Sequence, residues 1–148
     1  MANAKLGSRA SYGETFVQIL DTDGTQLTPG DSGKIFMCKE ASSARTVNLP
    51  PVASSAGVKF KFVLELESSA AFNIVVYGLT ASGGSTGDSN KLNFMRVADA
   101  GARSYNRDGV SFTADSNKGD FIDIFCDGDE WHAHCFGSDD DHFAALSD

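Results

Sequence analysis

The segment FIDIFCDGDEWHAHCFG, residues 121–137, brings His132, His134, Cys126, Cys135 and Asp123 into one short stretch. Two imidazoles two positions apart on a strand project from the same face. With a carboxylate opposite them they would form a donor set adequate for zinc. The cysteines do not add to it, because they lack the C-x-x-C or C-x-C spacing usual in thiolate zinc sites. Phe121, Phe125 and Phe136 fall on the histidine face as well. A surface mixing aromatics, histidines and one acid is what a subunit or partner contact looks like. The expectation is a contact surface of Phe121, Asp123, Phe125, His132, His134 and Phe136, with Asp123 and His134 as a cross-strand pair. No metal and no other cofactor is expected.

A hairpin would position these residues. With Gly128 and Asp129 at its tip, Cys126 faces Trp131, Ile124 faces Ala133 and Ile122 faces Cys135. One face is then wholly apolar, which supports the register. Both cysteines sit on that face as small buried hydrophobes, and neither opposes the other across the ladder.

Other segments rich in chemically capable residues read as turns. DTDGTQLTPGDS (21–32) opens like a calcium loop, but Gln26 stands where an EF-hand needs glycine and Ser32 where it needs glutamate. SGGSTGDSN (82–90) lacks the closing lysine and the helix of a phosphate cradle. No serine sits in G-x-S-x-G, and nothing else suggests catalysis, so the chain does not read as an enzyme. Arg96, Arg103 and Arg107 with Tyr105 make a patch too small for nucleic-acid binding. DDDH (139–142) reads as part of a solvated acidic tail.

The composition narrows the partners. The 148 residues carry 20 acidic and 12 basic side chains, a net charge of -8, which repels phosphate backbones and anionic membranes alike. No apolar run has the length of a membrane span, and no signal peptide is visible, so the expectation is a soluble chain made in a cytoplasm. Three cysteines are an odd, sparse set that suits free thiols. Eleven phenylalanines and 15 glycines accompany short apolar runs. Strands are expected at 16–20, 34–39, 46–49, 58–66, 72–79, 92–97, 110–114, 121–125 and 131–136, with turn clusters between them. In VKFKFVLEL (58–66), Val58, Phe60, Phe62, Leu64 and Leu66 share one face. The predicted fold is all-β, an antiparallel sandwich or jelly roll over residues 13–137. Residues 1–12 read as a polar arm. Residues 138–148 read as an acidic tail with at most one helical turn around Phe143 to Leu146.

Two blocks carry a family resemblance. LTPGDSGKIFMCKEASSARTVNLPPVASSAGVKFKFVLE (27–65) and KGDFIDIFCDGDEWHAHCFG (118–137) resemble β modules of tailed-phage virion proteins. The shared pattern is a strand opened by D-S-G-K, a T-V-x-L-P strand, an F-x-F strand and a closing hairpin with D-G-x-x-W. Gly33, Pro50, Gly57, Gly128 and Trp131 are its fixed points. The resemblance implies a capsid decoration (cement) protein, a homotrimer bound to the major capsid protein on the outer surface of the virion. The alternative it implies is a receptor- or glycan-binding head of a tail fibre or tail tip. Tyr77, Tyr105 and Trp131 are the aromatic candidates for a sugar, although the hairpin register makes Trp131 core.

Overall fold

The computed structural model describes residues 17–39, 43–65, 69–78, 87–97 and 102–147. The proposed arm, residues 1–12, lies outside them. In chain order the strands are β1 (Val17–Leu20), β2 (Thr25–Gln26), β3 (Ile35–Cys38), β4 (Arg45–Asn48), β5 (Lys59–Leu64) and β6 (Phe72–Val75). There follow β7 (Leu92–Arg96), β8 (Ala102–Arg107), β9 (Gly109–Phe112), β10 (Phe121–Cys126), β11 (Trp131–Phe136) and β12 (Phe143–Leu146). The helical content among the described residues is three 3-10 turns of three residues each.

The strands form two sheets. The larger has the order β1-β3-β5-β10-β11-β7-β8, and the smaller β12-β9-β6-β4-β2. Both are mixed, which corrects the antiparallel expectation. β1, β3 and β5 run parallel to one another, as do β2, β4 and β6. The cause is the winding of the chain: the first six strands alternate between the sheets, so each returns to its own sheet in the same direction. Parallel neighbours need a crossover, and here a strand of the other sheet supplies it in place of a helix. From β9 on, hairpins and antiparallel pairings dominate.

Side-chain alternation does what the sequence predicts in β5. Phe60, Phe62 and Leu64 are buried, as is the preceding Val58, while Lys59 is exposed; Leu66 lies outside the described residues. Phe36 stacks on Phe62 with ring centroids 5.3 Å apart, and Phe60 stacks on Trp131 at 5.8 Å. Val47, Ile74, Val110 and Phe112 of the smaller sheet join the same buried cluster as Phe62 and Ile122 of the larger. Each fully buried side chain of this size contributes roughly 1.5–3 kcal/mol.

Three strands differ from the sequence expectation. β2 and β8 fall in stretches that read as turns, and β12 replaces the helical turn expected in the acidic tail. Phe143 is 3% exposed and packs on Phe112 at 5.6 Å. β12 is thus part of the smaller sheet, held along β9 from Phe143↔Phe112 to Leu146↔Gly109.

Candidate functional site

The β10–β11 hairpin has the register read from the sequence: Cys126↔Trp131, Ile124↔Ala133 and Ile122↔Cys135. All six of those side chains are 2% exposed or less. The turn is two residues long, with Gly128 at φ 103°, a backbone region that favours glycine. The Asp127 N–H donates to the Glu130 carbonyl at 3.1 Å and closes it. Asp127 Oδ1 accepts the N–H groups of Asp129 and Glu130, each at 2.8 Å, while Oδ2 lies 2.9 Å from His132 Nε2. The Glu130 and Asp129 N–H groups, with His132, hold the Asp127 carboxyl well below the usual carboxylate range.

Phe121, Asp123, Phe125, His132, His134 and Phe136 all stand on the opposite face of this hairpin, directly paired as Phe121↔Phe136, Asp123↔His134 and Phe125↔His132. Phe121 stacks on Phe136 at 4.5 Å and Phe125 on His132 at 5.0 Å. His134 meets the Phe125 ring edge-on at 6.4 Å. Asp123 and His134 are register neighbours, but the Asp123 carboxylate is engaged from the other side, by Lys61 Nζ at 3.3 Å. The same ammonium lies 4.1 Å from the centroid of the Phe121 ring. Grooves flank His134 on both sides. One is walled by Lys34, Lys59, Lys61 and Phe125, the other by Asn93, Met95, Arg103 and Tyr105.

Among the described residues, no three histidine, cysteine or acidic side chains are grouped so as to hold a metal ion. Cys38, Cys126 and Cys135 are free and buried. Burial pushes all three thiols up, Cys135 to about 12. Such thiols carry almost no thiolate at neutral pH and make poor nucleophiles. The calcium-like stretch holds β2 and a 3-10 turn, and before β2 Asp23 Oδ1 accepts the Thr46 N–H at 2.7 Å. Of the candidate sugar-binding aromatics, Trp131 is 0% exposed, Tyr77 40% and Tyr105 58%.

One pair escapes sequence reasoning. His142 Nδ1 lies 2.6 Å from Asp120 Oδ2, with both side chains buried. The Asn117 N–H donates to the same carboxylate oxygen at 2.8 Å. The His142 carbonyl accepts from the Thr113 N–H and the Ser116 hydroxyl. This cluster ties the 113–120 loop to the start of β12. No sequence signal exposes it, because Asp120 reads as a turn residue and His142 as the end of a charge run.

Compared with known proteins, the chain matches no family model, no curated protein and no solved structure. No helix among the described residues is long and apolar enough to cross a membrane.

Proposed function

We propose that this chain is a structural virion protein that binds the outer surface of a phage capsid, with the major capsid protein as its partner, and stabilises the shell, acting as a trimer. The observation that carries this reading is the outward face of the β10–β11 hairpin, where stacked aromatics and histidines occupy a rigid sheet. Contact surfaces favour aromatic side chains on rigid elements. The residue blocks 27–65 and 118–137, with their resemblance to virion β modules, supply the kind of partner. Two sheets sharing one core suit a small sandwich. The parallel winding of β1, β3 and β5 departs from the antiparallel order of a jelly roll. A protein that binds only the finished shell raises its stability by linkage, and three linked copies multiply weak contacts.

The test is the copy number of this chain in purified virions, measured by quantitative mass spectrometry against the major capsid protein. A fixed small-integer ratio supports the proposal, and absence from virions overturns it. A handful of copies per particle favours the second reading, a receptor-binding head on the tail. Tyr105 is the observation behind that reading, exposed beside Asn93 and Arg103 in a groove of mixed polarity.

A further inference from the structure

The contact face extends well beyond the hairpin. Rows of directly paired residues run across the outer side of the larger sheet. One row is Ile19↔Met37↔Val63↔Phe121↔Phe136, apolar at each of five adjacent strands. Ile19, at its edge, is 54% exposed. The neighbouring row is Val17↔Ile35↔Lys61↔Asp123↔His134↔Met95, ending at Arg103 on β8. A third row pairs Lys59↔Phe125↔His132.

The charge of this face is opposite to that of the chain. The whole protein carries -8, yet Lys34, Lys59, Lys61 and Arg103 line the grooves beside His134. Asp31 engages Lys34 at 2.6 Å and Asp123 engages Lys61 at 3.3 Å. Lys59 and Arg103 meet no carboxylate among the described residues. A cationic strip on an acidic body steers association and selects its partner by sign.

Resting on the virion reading above, we propose that this face docks a protein surface in which an apolar stripe is flanked by carboxylates, the stripe covering the Ile19–Phe136 row and the acids reaching Lys59 and Arg103. Other occupants fit less well. A second copy paired face to face would bring together two faces of the same net positive sign. The chain's residues 1–16 carry Lys5 and Arg9 against Glu14, the same sign as the face. A nucleic acid needs free ring faces for its bases. Here Phe121 and Phe136 stack on each other, Phe125 stacks on His132, and Ile19, Met37 and Val63 offer no ring.

The experiment is co-sedimentation of the full chain with emptied capsid shells of its virus, at about 50 and about 300 mM salt. Wild type, the double variant Lys59→Glu/Lys61→Glu, and Arg103→Glu are compared. The expected result is binding that weakens at least about tenfold over that salt range and again with each charge reversal. Far-UV circular dichroism confirms the fold of each variant, and Arg103→Glu provides an independent site on another strand. Shell binding that survives both reversals and high salt overturns this inference while leaving the virion reading standing. No shell binding by wild type overturns both. Tighter binding to a single-stranded oligonucleotide, or concentration-dependent self-association abolished by the same reversals, assigns the face to another occupant and overturns the proposal.

Discussion

Asp120 and His142 meet at 2.6 Å, both buried, and join the loop that precedes β10 to the turn that precedes β12. Their contact fastens an edge strand of the smaller sheet to the central strand of the larger one, through Asp120, whose carbonyl also accepts the Leu64 N–H at 2.9 Å.

Removing the His142 imidazole takes one of two hydrogen-bond partners from the buried Asp120 Oδ2, which keeps the Asn117 N–H. His142→Ala is expected to destabilise the fold by about 3 kcal/mol, measured by urea unfolding. Hydrogen exchange should quicken first in 143–146. A loss under about 0.5 kcal/mol would mean that the pair adds nothing beyond its solvated equivalent.

Gly109 tests how closely β9 approaches β6. A Cβ there would collide with the Ile74 carbonyl oxygen and come within 3.0 Å of Val75 Cα. Gly109→Ala should cost about 1–3 kcal/mol through overpacking. Unchanged stability would show that the two strands can part at no expense.

Asp127 gives a sign-defined pH dependence. Its folded carboxyl titrates below the unfolded value of about 3.9. Its contribution is therefore complete above that unfolded value and fades as pH falls through the folded one. The stability gap between wild type and Asp127→Asn should be level near neutrality and narrow below about pH 4. A gap that stays constant into strong acid would remove the Asp129 and Glu130 hydrogen bonds as its cause.

The three thiols should resist a water-soluble disulfide reagent in the folded chain and react together only on unfolding. Their burial and raised acid constants require this. Rapid modification of Cys126 in native buffer would show that the tip of the β10–β11 hairpin opens.

The strands that sequence reasoning missed share one physical feature, although the edge strand β1 was legible in its short apolar run. β5, β10 and β11 are covered on both flanks, and their inward residues alternate strictly. The missed strands β2, β8 and β12 are all sheet edges. An edge strand pairs on one side only, so its residues need not alternate, and turn formers such as those of the β8 segment are tolerated. Parallel direction was illegible for another reason: it depends on which sheet each strand joins, a long-range property that short runs do not encode. The hairpin face was readable because a one-residue slip would bury His132, His134 and Asp123. Lys61 as the partner of Asp123 was not, since it comes from a strand 62 positions away that only the fold brings alongside.

The order of the larger sheet also governs how the molecule is made. β10 sits at its centre, between β5 and β11, yet begins only at Phe121. On a ribosome, β1, β3 and β5 emerge early and have no central neighbour, while β7 and β8 have nothing to lie against. The nascent chain must hold Phe60 and Phe62 beside a bare strand edge until β10, more than fifty residues further on, has been made. Long-range pairing of this sort is slow and leaves half-built sheets open to one another. Chains cut short before residue 121 would therefore be lost to aggregation rather than accumulate as partial domains.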